Sequence, residues 1–484
     1  MLTVDEVLKY IQYINRIDKK SFNEVNWFWS YPQQPLINKY LENDRKKIIS
    51  IFQKKLGHKN DLNNLGLYVN IPFCKAKCRF CGFYSKIAIK DDIDEYINNL
   101  EKEINSYQKI KIDFRKIFFS SLYLGGGTPT ILSSIQLKKL LKLLFKNFNF
   151  TDNSQKIIEG TPASLTQSKI EILEKFKFDR FTLGVQSFND KILREYNRDS
   201  SVKDILEAYK LLRKSKIKYI NIDMMLGLKG ENESVYNNYL KYIKKLAPDQ
   251  VSFGIVLPWA SKGLSKKEKQ EIDCNVREME LSSFFGLFNK MKSAGYQKVD
   301  NRYSHYYFFK EQKLGKKVLN YQLTRNIEGF YSVLGLGQCA QSSFFMPRGD
   351  ASFVRNGAFN LFDNNDELLT NHFDKTAFII PKNDVLRRHI ICNFSFFNKI
   401  KISPMNDFFK SDVIAEFKNI FQPLLKDKMI KIDKNNLILL DNYKKLSEGY
   451  NLTERERYFF FIVNYIYPPE IHQEIRDLVT KKEI

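Results

Sequence analysis

Between Gly66 and Ala294, short apolar runs alternate with amphipathic stretches, and this ordering restricts the fold more than any other feature of the chain. Gly66 to Ile71 (GLYVNI) reads as a strand, and Asp91 to Ile110 then places Ile93, Tyr96, Ile97, Leu100, Ile104 and Tyr107 at helix spacing. The alternation continues with strands at Ser121 to Leu124, Lys156 to Glu159, Arg180 to Val185, Tyr219 to Met225 and Gln250 to Leu257. Helices are predicted between them over Ile135 to Phe148, Thr166 to Phe176, Val202 to Lys214 and Val235 to Leu246, with a long helix over Asn275 to Ala294 after the last strand. Parallel strands need crossovers, so this order predicts a parallel sheet with its helices outside. Curled round, six such units make a partial (β/α)6 barrel, and the loops at the strand C-termini are expected to carry the chemistry.

Around this core we expect a helical extension over residues 1–60, a barrel domain over 61–350 and a small α+β domain over 351–484. The extension contains the aromatic stretch Trp27-Phe28-Trp29-Ser30-Tyr31-Pro32. The last part has a helical Asn383 to Phe394, short strands at Met429 to Ile432 and Leu437 to Leu440, and the apolar Tyr458 to Tyr467 (YFFFIVNYIY). That run is about half the length of a membrane-spanning helix and is followed by Pro468 and Pro469. We therefore expect no transmembrane segment and a buried helix, while Arg455 and Arg457 leave peripheral membrane contact open. The first residues, acidic early and without an apolar core, give no secretion signal, and a cytoplasmic location is expected.

Composition sets the outer limits. The 484 residues are 43% hydrophobic and 14% aromatic, enough for a large core, which excludes a disordered acidic chain or a collagen-like repeat. Lys plus Arg number 78 against 55 Asp plus Glu, so the formal net charge is 78 − 55 = +23. No nucleic-acid-binding motif accompanies that charge, and no nucleic-acid partner is expected.

Six cysteines are too few for a disulfide scaffold, and three of them, Cys74, Cys78 and Cys81, sit directly after the first strand. Thiolates at such spacing suit an iron–sulfur cluster. A structural zinc site would want a fourth Cys or His close by, and no further one lies between His58 and Cys274. Three unrelated buried cysteines would have no reason to gather at that strand end.

The motifs LYVNIPFC, CRFC, LGGGTPT, GVQSFND with Asn197-Arg198 shortly after it, NIDMMLGL and VLRRHIICNF together resemble those of the radical S-adenosylmethionine (SAM) superfamily. More narrowly, they resemble the family of the oxygen-independent coproporphyrinogen III oxidase, which includes haem-chaperone relatives and the class C radical SAM methyltransferases. The resemblance runs from Trp29 to about Phe394.

It implies a 4Fe-4S cluster on Cys74, Cys78 and Cys81, whose open iron binds SAM. It implies SAM contacts from Tyr68, Phe80 and the Gly126-Gly127-Thr128 loop, with Glu159 accepting from ribose hydroxyls or an ammonium. Gln186, Arg198 and Asp223 match residues that contact a second SAM, so two SAM molecules are expected. Asp223, inside the apolar run NIDMM, would otherwise be explained by an ion pair with Arg198 or a Lys, because an unpaired buried carboxylate is costly. Gly335-Leu336-Gly337 resembles a late Gly-rich loop near SAM, and Cys339 beyond it reads as a small buried residue.

Four departures from the oxidase pattern bear on the substrate. Phe83 stands where a fourth Cys is common and Asn70 where His is common. Glu159-Gly160-Thr161-Pro162 replaces Glu-Val-Asp-Pro, and Trp29-Ser30-Tyr31-Pro32 keeps the N-terminal segment without its Arg. A tetra-acid wants fixed cationic donors. The resemblance with these departures favours a C-methyltransferase acting on an sp2 carbon of a planar aromatic, quinone or heteroaromatic substrate. Porphyrinogen oxidative decarboxylation, with a tetrapyrrole substrate, is the alternative, and haem trafficking a third. The aromatics at Trp27 to Tyr31 and Tyr303 to Phe309 are candidates to line a flat pocket or to pack a core. An acidic electron donor such as flavodoxin or ferredoxin is expected, steered by Lys75, Lys77, Arg79 and Lys86.

Overall fold

The computed structural model describes residues 1–11, 41–42, 45–56, 65–258, 261, 263–282, 284, 286–299, 305–310, 330–345, 351–355 and 377–480. Its central strands are β1 (Leu65–Ile71), β2 (Phe118–Gly126), β3 (Asn149–Gly160), β4 (Arg180–Gln186), β5 (Tyr219–Leu226) and β6 (Gln250–Ile255). Neighbours in sequence are parallel neighbours in the sheet throughout this series. The crossovers are α1 (Lys90–Lys109), α2 (Ser134–Asn147), α3 (Gln167–Lys175), α4 (Val202–Lys214) and α5 (Glu233–Leu246). Each of α2 to α5 starts on a side chain that accepts from its first turn, at Ser133, Thr166, Ser201 and Asn232. A short helix, Asp190–Glu195, capped by Asn189, precedes α4 and carries no periodic signal long enough to be read from sequence.

The sheet is wider than the six units predict. Strands β7 (Tyr296–Val299) and β8 (His305–Lys310) add antiparallel beyond β6. At the other side β9 (Ser332–Leu336) pairs parallel with β1. Strands β10 (Gln341–Phe345), β11 (Ala351–Arg355) and β12 (Ala377–Ile380), with the short Leu41–Glu42, follow antiparallel, giving thirteen strands. The long helix expected over Asn275 to Ala294 is instead two. The first, α6 (Lys266–Leu281), starts nine residues earlier at a Ser265–Glu268 capping box. Phe284 and Gly286 then take positive φ, and α7 (Leu287–Ser293) begins afresh.

The strands divide their side chains by alternation. Leu67, Val69, Ile71, Leu122, Leu124, Ile158 and the matching residues of β4 to β6 pack with the helices in one core. The other face carries Tyr68, Tyr123, Ile157, Tyr331 and Val333 as a separate small cluster. That opposite face is where the polar residues of the strands lie. It is therefore the face that positions the site.

A second core gathers helix α8 (Lys382–Phe396), a three-stranded antiparallel sheet (Lys399–Lys401, Asn436–Leu439, Ile430–Asp433) and α9 (Glu454–Tyr465). Leu2, Val4, Val7 and Tyr10 are buried in it, with Leu2 N donating to Asn464 Oδ1 at 2.6 Å. Phe52 and Leu56, by contrast, belong to the first core. In α9 a Thr453–Glu456 capping box starts the helix, and Tyr458, Phe459, Phe461, Ile462 and Val463 are buried. The apolar run thus faces protein rather than an interface. Among the described residues no helix is long and apolar enough to cross a membrane.

Candidate active site

The loop after β1 carries the three cysteines and is held by backbone hydrogen bonds from three sides. Gly127 N donates to Ile71 O at 2.8 Å and Thr128 N to Phe73 O at 2.7 Å, which seats the glycine loop of β2 directly against it. Lys86 N donates to Pro72 O and Ala88 N to Cys74 O on the outer side. Arg79 N donates to Tyr196 O, and Asn197 Nδ2 to Lys77 O at 2.9 Å, tying the loop to the end of the short helix. The Arg79 guanidinium bridges Glu195 at 3.1 Å and Glu268 at 2.6 Å and reaches Gly263 O. Arg79 is therefore a clamp on the loop and not part of a free basic face, whereas Lys75 and Lys77 are exposed and Lys86 is half-buried.

The cysteines themselves are partly exposed thiols. Burial raises the Cys74 thiol, opposed by hydrogen bonds from Thr128 and Ser85. Burial pushes Cys81 up to about 11. Thr128 Oγ1 lies 3.6 Å from Cys74 Sγ, and Arg198 Nη1 lies 3.2 Å from Cys78 Sγ. Both are hydrogen-bond donors directed at sulfur. A Cβ on Gly127 would fall 2.6 Å from Phe73 O and 2.9 Å from Cys74 Sγ, and one on Gly126 would collide with Asn70 Oδ1. Only glycine fits there.

Arg198 also donates through Nη2 to Gly184 O at 2.6 Å. Its Nε is buried with no hydrogen-bond partner among the described residues, so a donor is left for an anionic group. Gln186 sits at the end of β4 with φ +71° beside a register shift in the β4–β5 pairing, a bulge that re-aims its side chain. A Cβ on Gly184 would touch Gln186 Nε2 at 3.2 Å and Arg198 Nη2 at 3.6 Å, so the three residues are neighbours.

Glu159 and Asp223 are both half-buried on the polar face. Glu159 accepts from Tyr123 OH and the Gly126 amide. Burial nevertheless raises it to about 7, and the nearby Asp223 adds to the rise. Asp223 accepts from Asn221 Nδ2 at 2.6 Å, and burial raises it to about 6. The cation that faces it is Arg180, not Arg198. Arg180 is 1% exposed and donates to Gln250, while Gln250, Ser252 and Asn221 are linked in turn. Arg180, Tyr123, Asn221 and Gln250 were not singled out in the sequence. Polar residues two apart in otherwise apolar strands (Asn221 and Asp223, Gln250 and Ser252) are the signal that could have found two of them, Asn221 and Gln250.

Tyr68 stacks near Tyr123, with ring centroids 5.7 Å apart, and donates to Asn70 Oδ1. Asn70 Nδ2 donates to Gln338 O at 2.5 Å, and Gly337 N to Glu103 Oε2 at 2.9 Å. The late glycine loop is thereby fixed to the end of β1, with Gly337 and Cys339 both at positive φ. Phe80 packs against Tyr196, and its carbonyl accepts from Ser261. Of the aromatics expected at a flat pocket, Trp27 to Tyr31 and Tyr303 lie outside the described residues. Tyr306 and Phe308 pack into the first core, Tyr306 on Phe288 with centroids 4.4 Å apart, whereas the buried Tyr307 and Phe309 lie opposite Ser252 and Gln250 on the face that carries Asp223.

This donor set fits an iron–sulfur cluster with SAM: soft thiols on one loop, a glycine strip against them, and an arginine with a spare buried donor. A family model described as the radical SAM superfamily matches residues 68–243. The oxygen-independent coproporphyrinogen III oxidase of Escherichia coli (strain K12) is 26% identical over 393 residues, covering 77% of this chain and 81% of that protein. The heme chaperone HemW of Bacillus subtilis (strain 168) is 29% identical over 232 residues, covering 47% of this chain and 60% of that protein. Among solved structures, coproporphyrinogen III oxidase (HemN) from Escherichia coli shares the fold with a TM-score of 0.65 at 22% identity, over 90% of this chain and 97% of that chain. The chain is a radical SAM enzyme and belongs to the oxygen-independent coproporphyrinogen III oxidase-like family. These relatives are an oxidase and a chaperone and not the methyltransferases expected from the sequence departures.

Proposed function

We propose that this chain oxidatively decarboxylates propionate side chains of a tetrapyrrole, in the manner of the oxidases it resembles. The observation that supports this most is Arg198. It joins the cysteine loop, through Cys78 Sγ, to Gly184 O at the end of β4, with Gln186 beside it, which supports a cluster site and a second-SAM site lying side by side.

When bound, the cluster and SAM would supply one-electron radical chemistry at the substrate. The chain's residues do the holding. Cys74, Cys78 and Cys81 would hold the cluster, and Tyr68, Phe80 and the Gly126 to Thr128 loop would hold SAM. Glu159, tied down by Tyr123, presents a carboxyl that is part-protonated near neutral pH and so both donates and accepts. Asp223, balanced by Arg180, gives a fixed negative group beside it. The Tyr68–Asn70–Gln338 chain closes one side of the site.

A second reading, methyl transfer to an sp2 carbon, is favoured by Asn70. Its amide is spent on Gln338 O, so the position where the oxidase pattern has His offers no titratable group here. Products separate the two. With anaerobically reconstituted, reduced protein, SAM and coproporphyrinogen III, carbon dioxide with 5′-deoxyadenosine supports decarboxylation. S-adenosylhomocysteine with 5′-deoxyadenosine, in cell extract, supports methyl transfer. Neither product together with tight haem binding would favour trafficking.

A further inference from the structure

We propose that residues 82–89, the outer flank of the cysteine loop, are the docking surface for an acidic one-electron carrier protein. This rests on the radical SAM reading of the site. Phe83, Ile87 and Ile89 are 68%, 48% and 59% exposed, and they are three of the nine large apolar side chains exposed among the described residues. Their exposure is not that of a loose segment. Lys86–Ile87 pairs parallel with Phe73–Cys74, Lys86 N donates to Pro72 O at 2.7 Å, Ser85 is buried, and Tyr84 OH accepts from Gln338 at 3.1 Å. Three apolar side chains held rigidly outward in so short a stretch mark a contact surface.

Its position gives the partner's chemistry. Ala88 N, between Ile87 and Ile89, donates to Cys74 O at 2.9 Å, so a protein seated on these residues lies one hydrogen bond from the backbone of a proposed cluster ligand. The charged side chains around it are mainly basic. Lys75, Lys77 and Lys90 are exposed, and Asp91 and Asp92 sit in the first turn of α1 at one edge. A second copy of a chain with net charge +23 would meet repulsion, whereas an acidic carrier is attracted. One electron leaves the carrier, whose cofactor is oxidised by one, and enters the cluster, which is reduced by one; no atom is transferred.

The test uses the cluster-loaded enzyme and a reduced flavodoxin as probe. Two variants are compared with the parent: Phe83→Ser with Ile87→Ser and Ile89→Ser, and Lys75→Glu with Lys77→Glu. Stopped-flow absorbance follows cluster reduction by flavodoxin and, separately, by dithionite, and an equilibrium titration gives the flavodoxin Kd. The proposal expects flavodoxin Kd and second-order rate to worsen by about tenfold or more in both variants, and the parent's rate to fall with added salt. Dithionite reduction and dithionite-driven 5′-deoxyadenosine formation stay at the parent's level. Unchanged flavodoxin binding and rate would overturn it, as would an equal fall with dithionite. So would loss of vesicle binding or of dimerisation in the variants with flavodoxin kinetics intact. Failure to form 5′-deoxyadenosine with dithionite in the parent would instead strike the radical SAM reading itself.

Discussion

Arg198 Nη1 lies 3.2 Å from Cys78 Sγ, although the two residues are 120 positions apart in the chain. A guanidinium that close lowers the cost of negative charge on the sulfur. Replacing it by Arg198→Ala is expected to leave iron binding largely intact and to shift the cluster midpoint potential to more negative values. A redox titration followed by electron paramagnetic resonance reads this directly. An unchanged potential would show that the contact does not tune the site.

Gly127 is tested by adding a single methyl group. Its backbone does not need positive φ, so Gly127→Ala probes space alone, and the new Cβ would press on Phe73 O and Cys74 Sγ. Overpacking of this kind costs about 1–3 kcal/mol. The expected outcome is lower iron content per chain with a modest fall in melting temperature. Full iron loading in the variant would mean the loop has room that the geometry denies.

Glu159 links burial to pH. Its carboxyl ionises near 4.5 in the unfolded chain and is raised to about 7 when folded, chiefly by burial. The folded state therefore binds more protons between these values, and stability falls as pH rises through them. In the cluster-free protein, Glu159→Gln should remove this part of the decline, on the order of 3 kcal/mol between about pH 4.5 and 7. Denaturant melts at pH 5 and pH 8 measure it. A decline as steep as the parent's would place the proton elsewhere.

Phe461 decides between the two uses of the apolar C-terminal run. It is fully buried in α9, with ring contacts to Tyr443, Tyr458 and Tyr465. Phe461→Ala should cost about 3–5 kcal/mol, and binding to anionic vesicles should not change. Loss of vesicle binding without loss of stability would point to an interfacial helix.

Much of this architecture was legible from residue order. The β1 to β6 series follows from apolar runs at helix-length spacing, and the Cys74 to Cys81 loop follows from three soft ligands after the first strand. The added strands were not legible. The pairing of Ser332–Leu336 with β1 joins residues more than 250 positions apart, and nothing local in that segment names its partner. The start of helix α6 is not legible from apolar spacing because it rests on the Ser265–Glu268 capping box. At the site, the apolar run NIDMM marks Asp223 as a carboxylate within a strand, but the cation that faces it is Arg180 and not Arg198. Both arginines were equally available in the sequence, and only the alternation of β4 and β5 side chains across one face selects between them.

The central claim is that Cys74, Cys78 and Cys81 hold a cluster that cleaves SAM. Anaerobically reconstituted protein, reduced with dithionite and supplied with SAM, should form 5′-deoxyadenosine, and Cys78→Ala should form none. Retained 5′-deoxyadenosine formation in Cys78→Ala would contradict the account.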